Sequence, residues 1–102
     1  MRINFHLEYQ TTFGEELVLN ILKDATTEQH KMGTLDGLHW STELNKVVKT
    51  STHIDYYYSV VRGDQLERTE WLTEPHRLEF AAQKGVHYTV YDHWIEIGRA
   101  HV

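Results

Sequence analysis

The sequence contains no cysteine and only one proline, Pro75, in its 102 residues. Without cysteine the chain can form neither a disulfide framework nor a thiolate metal site. No Pro-rich linker, internal repeat or low-complexity tract divides it. A chain of this length suits one hydrophobic core. We therefore expect a single domain over positions 1–97, with 98–102 as a tail or the start of a linker.

Long apolar runs and dense basic runs are also missing. No stretch approaches the ~20 apolar residues of a membrane helix. The beginning, MRINFHLEY, alternates apolar and polar residues and lacks the apolar core of a signal peptide. The formal charge is −5, from 10 Lys and Arg against 15 Asp and Glu, with no basic cluster. We expect a cytoplasmic protein that binds neither nucleic acid nor membrane.

The motifs that usually carry catalysis or cofactors are absent as well. There is no Gly-x-Ser-x-Gly elbow, no His-x-x-x-His pair and no Gly-rich phosphate loop. Carboxylates are plentiful, but a glycosidase pair is defined by its spatial separation, and solvated surface charges explain them more simply. The sequence thus predicts no catalytic residue, no metal site and no cofactor in this domain.

What the chain does have is a period of two. Ile3, Phe5 and Leu7 alternate with polar residues, and the same alternation returns around Leu19, Trp40, Tyr56, Leu66, Leu78 and Tyr88. Such segments, separated by turns, predict an all-β fold: an antiparallel, immunoglobulin-like β-sandwich of about seven to eight strands. Positions 23–37 are polar and predict a long connection with a short edge strand around positions 30–32.

Trp71 is the residue that the alternation explains least. It lies in EWLTEPHR, four residues before the proline, among charged and polar side chains. Two interpretations fit this position: the ring closes one end of the core, or it is a flat platform for a sugar, whose C–H faces stack on aromatic rings. On the alternating strands, Trp40 is predicted to face the core with Leu44, and Tyr57 to face solvent.

Five stretches, in order, resemble a known family of starch-binding domains, carbohydrate-binding module family 20. They are YQTTFGEELVLNI, GLHWSTEL, IDYYYSVV, TEWLTEPHRLEF and YTVYDHW, and together they extend over positions 9–94. Each motif alone is weak, whereas the ordered set is fairly specific. The resemblance implies an antiparallel β-sandwich that binds α-1,4-glucan, commonly at two sites.

The resemblance also assigns candidate carbohydrate-binding residues. At one site Trp71 matches a stacking Trp, Tyr57 stands where the family usually has Lys, and His76 stands where it usually has Asn. The loop that supplies a second Trp in the family has none here. At the other site Phe13 and Trp40 match the two aromatic positions, which implies that Trp40 is an exposed ring.

A finer resemblance is to the first of two tandem starch-binding domains that precede the catalytic barrel of a bacterial 4-α-glucanotransferase of the amylomaltase type. It implies a non-catalytic module of a cytoplasmic enzyme of maltodextrin or glycogen metabolism. Its partners would be α-1,4-glucan and the neighbouring domains. The alternative is a degenerate module that no longer binds sugar and only docks against those domains, and the missing loop Trp favours it.

Overall fold

The computed structural model describes residues 2–22, 26–45, 53–70, 75–79 and 87–94. The described residues form nine strands in chain order. The strands are β1 (Arg2–Glu8), β2 (Glu16–Leu22), β3 (Thr27–Lys31), β4 (Gly33–Thr34), β5 (His39–Asn45), β6 (His53–Arg62), β7 (Gln65–Thr69), β8 (His76–Glu79) and β9 (His87–His93). None of these described residues lies in a helix long and apolar enough to cross a membrane.

The strands form two sheets that pack face to face. Sheet A has the spatial order β4-β5-β1-β9, and sheet B has the order β3-β2-β6-β7, with β8 also paired to β6. Phe5 of sheet A meets Tyr56 of sheet B edge to face, with ring centroids 4.9 Å apart. The predicted β-sandwich is therefore confirmed.

The alternation of β1 shows why the sequence folds in this way. Ile3, Phe5 and Leu7 are at most 2% exposed, while the residues between them face the outside of sheet A. Their contacts from sheet B are the equally buried, alternating apolar residues of β2 and β6. Burial of one face of each sheet is the main stabilising contribution to such a fold.

Three features differ from the sequence-based expectation. Strand β1 pairs with β9 in parallel, so the sandwich is not antiparallel throughout, because the period of two carries no information about strand direction. The connection over positions 23–37 contains two strands, β3 and β4, rather than one short edge strand. The described residues accordingly hold nine strands instead of seven or eight. The predicted tail at 98–102 lies outside the described residues.

One edge of strand β6 has a gap in its strand pairing. The strand pairs with β2 along its other edge, while β8 pairs with its first half, His53–Tyr56, and β7 with its second half, from Ser59 to Arg62. Neither β7 nor β8 pairs with the backbone between these halves. The residue that closes this gap is Glu70, immediately after β7.

Candidate functional site

Trp71 itself lies outside the described residues, but the residues on either side of positions 71–74 are placed. The Glu70 carboxylate and the His76 imidazole, which flank this stretch, are 2.9 Å apart at their closest. Glu70 and His76 thus both lie at the same edge of β6.

Glu70 acts as a substitute for a neighbouring strand. Its backbone N–H donates to the Tyr58 carbonyl at 3.1 Å, and its carboxylate accepts the Tyr58 N–H at 2.7 Å. The residue is 1% exposed. Buried backbone groups need hydrogen-bond partners, and a charged acceptor gives a stronger bond than a neutral one. Glu70 therefore provides the hydrogen bonds that the Tyr58 backbone does not receive from β7 or β8.

His76 completes a buried polar cluster between the two sheets. Its ring stacks on Tyr56 at a centroid distance of 5.2 Å, and its Nδ1 lies 3.7 Å from Asp92 of sheet A. The same Asp92 carboxylate accepts the hydroxyl groups of Tyr56 and Tyr58, each at 2.7 Å. We call Glu70, His76, Asp92, Tyr56 and Tyr58 the inter-sheet cluster.

The charges of the inter-sheet cluster are mutually dependent. Burial alone lowers the pKa of His76, but the hydrogen bond and charge of Glu70, together with the charge of Asp92, outweigh it, so the pKa lies above its usual value. Burial, reinforced by Asp92, raises the pKa of both Tyr56 and Tyr58, which keeps their hydroxyls protonated as donors. The cluster joins the two sheets through an imidazole held between two carboxylates.

Tyr57 and His76 do not share a surface. Tyr57 pairs with Asn20 on the outer face of sheet B, whereas His76 pairs with Tyr56, which faces the core. Because successive side chains on a strand point to opposite faces, the two predicted site residues lie on opposite sides of the sheet. The outward orientation predicted for Tyr57 agrees with this register.

Phe13 is the predicted site residue that stands at the surface, with 99% of its side chain exposed. Hydrogen bonds from the Arg62 side chain hold its loop in place. Arg62 donates to the Phe13 carbonyl at 2.8 Å and to Thr12 Oγ1 at 3.3 Å. Gly14, at φ 91°, allows the turn, and a side chain there would meet Arg62 at 2.7 Å. The ring is held out into water by an ordered backbone.

Glu15 closes the base of the same loop. Its carboxylate accepts the Thr12 backbone N–H at 2.8 Å and a bond from Arg68, also at 2.8 Å. The backbone hydrogen bond from Thr12 is the main reason that the pKa of Glu15 lies below its usual value, with Arg68 adding to the effect against the cost of burial. The ionised form of Glu15 thus ties the loop to β7.

Trp40 is buried, with 4% of its surface exposed, so the exposed ring implied by the family resemblance is wrong and the core orientation predicted from the alternation is confirmed. Its indole Nε1 donates to the Gly37 carbonyl at 3.3 Å. That carbonyl also accepts the Thr11 N–H at 3.0 Å and the Thr11 hydroxyl at 2.8 Å. The structure therefore brings the loops of Phe13 and Trp40 together, while only Phe13 presents its ring to solvent.

Two residues of the inter-sheet cluster were missed by sequence reasoning. Asp92 lies on the same face of β9 as Tyr88 and Val90, so the period of two could have predicted its inward orientation. Glu70 gave no such signal, because its burial depends on a gap between two distant strand pairings. The described residues contain no group of three or more side chains that could hold a metal ion.

Comparison with known proteins adds no family to these observations. No protein-family model and no curated protein matches the chain.

Proposed function

We propose that this chain is a non-catalytic module that binds α-1,4-glucan, of the starch-binding type that its ordered motifs resemble. The observation that carries the proposal is the Phe13 loop. A fully exposed phenyl ring contributes nothing to the core, yet its backbone is fixed by Arg62 and Glu15. A binding loop that is ordered before it meets its ligand loses less entropy on binding.

The chemistry of the Phe13 loop suits a sugar ring. A pyranose presents apolar C–H groups on its faces and hydroxyl groups around its rim, so it stacks on a flat ring and bonds to polar neighbours. Gln10 and Thr12 precede Phe13 in the same loop and are exposed. The other contact surface would include Trp71 together with Tyr57, which lies on the outer face of sheet B, with His76 supporting the edge of β6 from within.

The wider context of the proposal is an appended domain. In a cytoplasmic bacterial 4-α-glucanotransferase, a module of this kind would hold glucan near a separate catalytic domain. Tethering raises the effective concentration of the polymer at the enzyme without chemistry in the module itself. The transfer reaction would belong to that other domain, and the neighbouring domains would be this module's protein partners.

A second candidate function is a docking domain that has lost its sugar sites. It is favoured by the burial of Trp40 and by the inward orientation of His76, which remove two of the predicted ligand contacts. Leu35, fully exposed in the loop next to that of Phe13, would then serve as a contact to another domain.

Calorimetric titration with maltoheptaose separates the two candidates. We expect saturable binding that Phe13→Ala weakens by about tenfold, since aromatic stacking in other ligand sites contributes about 1–3 kcal/mol. Leu66→Ala is the matched control, because Leu66 is another exposed apolar residue, on β7. Cellohexaose, with β-1,4 linkages, should bind more weakly. Absence of binding by the wild-type chain would support the docking domain instead.

A further inference from the structure

The outer face of sheet A carries a groove of about 340 Å³, and Asp92 of the inter-sheet cluster is also among the residues that line it. Its polar lining comes from three neighbouring strands of the sheet, β5, β1 and β9, and includes His6, Glu8, His39, Ser41 and Tyr91. We call it the sheet A groove. A volume of this order is typical of small-molecule sites.

One wall of the groove is a pair of stacked rings. His6 and Tyr91 are cross-strand neighbours, and their rings lie 4.8 Å apart with planes 15° from parallel. Tyr91 is 76% exposed. On the other side of His6 the neighbour is Ser41, and beyond it Gly33 of β4 has no side chain. The aromatic wall therefore stands beside a floor of small residues.

His39 is fixed at the same groove by Asp36. The Asp36 carboxylate accepts the backbone N–H groups of Leu38 and His39, at 2.9 and 2.8 Å, and its other oxygen lies 2.7 Å from His39 Nδ1. The hydrogen bond that the His39 ring donates to Asp36 raises the pKa of His39. With Nδ1 engaged, Nε2 is the ring atom left to bond a ligand.

The charges of the groove select the class of ligand. Glu8 lines it and Asp36 stands behind His39, so an anion would meet two carboxylates. The described residues offer no group of three or more side chains that could hold a metal ion, which disfavours a metal ion as the ligand. A flat wall, a hydroxyl, a carboxylate and an oriented imidazole together match a neutral ring that carries many hydroxyl groups.

We propose that the sheet A groove is an additional saccharide-binding surface that takes α-glucan, with one sugar ring against Tyr91 and His6. The choice of glucan rests on the proposed function, whereas the position of the groove does not. The groove opens at the end of β1 and β5, where the Tyr9 N–H bonds to the Leu38 carbonyl. It therefore lies at the same end of the sandwich as the Phe13 loop.

The test is a titration with maltoheptaose, followed by side-chain NMR signals of His6, His39 and Tyr91. It uses the Phe13→Ala variant, so that the first surface is weakened. We expect saturable shifts of the groove signals in this variant. Ser41→Phe, which fills the floor from an exposed position, should weaken them at least about tenfold. Tyr91→Ala gives an independent second variant on another strand.

Asn45→Phe is the matched control, because Asn45 lies on the same strand and the same outer face as Ser41, four residues further along. It should leave the groove signals and their titration unchanged. Shifts at Phe13 in the wild-type chain, with none in the groove, would overturn this inference and leave the proposed function standing. Shifts confined to the groove would support this inference and would show that the Phe13 loop is not the glucan site. No shifts anywhere would overturn both.

Discussion

Two of the imidazole–carboxylate pairs among the described residues lie in opposite surroundings. His76 and Glu70 are buried between the sheets, with side chains 12% and 1% exposed, whereas His39 and Asp36 lie at the surface, 66% and 50% exposed. In both pairs the carboxylate raises the pKa of the histidine above its usual value. Burial opposes that rise strongly at His76 and weakly at His39. The same chemical pair thus supports the fold in one place and is available to a ligand in the other.

The largest effect is expected from the buried pair. Glu70→Ala removes the acceptor of the Tyr58 N–H and leaves His76 without its closest charge partner. Breaking a buried charged pair by deleting one partner typically costs about 3–5 kcal/mol of unfolding free energy. Urea denaturation should show a loss of this order. A loss as small as that of Asp36→Ala, measured alongside, would mean that Glu70 does not close the gap at the edge of β6.

A smaller effect is expected from pH. Because folding raises the pKa of His76, its contribution to stability is fully present below the usual value near 6.5 and is lost as the pH rises through the higher folded value. The urea concentration at the denaturation midpoint should therefore decrease as the pH is raised from mildly acidic to alkaline values. His76→Gln should flatten this dependence strongly, while His39→Gln should flatten it only slightly, because the His39–Asp36 pair is exposed. Equal flattening by both variants would remove the contrast between the two pairs.

The smallest effect on stability is expected at the surface. Asp36→Asn should leave the denaturation midpoint close to that of the wild-type chain, since exposed pairs contribute little. It should nevertheless lower the pKa of His39 towards its usual value, because the hydrogen bond that His39 donates to the Asp36 carboxylate is the main cause of the rise. An NMR titration of the His39 ring measures this directly. An unchanged pKa would contradict the assignment of Nδ1 to Asp36.

Local alternation was sufficient to predict the strands that face the core on one side only. Ile3, Phe5 and Leu7 on β1, and Tyr56 and Tyr58 on β6, lie where the period of two places them. Strand β3, TEQHK, has no apolar residue, and as an edge strand it buries none of its residues fully. The strand forms because its backbone pairs with β2, and the pattern of side chains along the sequence does not reveal such pairing.

The candidate site was predicted less well, for reasons of long-range geometry. Trp40 matches a family motif, but its neighbours on β5 already place it in the core, and in this chain the strand register decided the outcome. His76 and Tyr57 both match family positions, yet pairing across β6 and β8 separates them to opposite faces. The Asp36–His39 pair and the Tyr91–His6 stack depend on contacts that a linear motif does not contain.

The most direct test of the account is a titration of the chain with β-cyclodextrin, a closed ring of α-1,4-linked glucose, followed by NMR of the Phe13 ring and the Trp71 indole. We predict saturable shifts at Phe13 in the wild-type chain and in Leu66→Ala, and a loss of affinity of about tenfold in Phe13→Ala, measured by calorimetry. Saturable shifts at Trp71 would add a second contact surface for the ligand. No saturable shift at millimolar ligand would contradict the claim that this β-sandwich is a glucan-binding module.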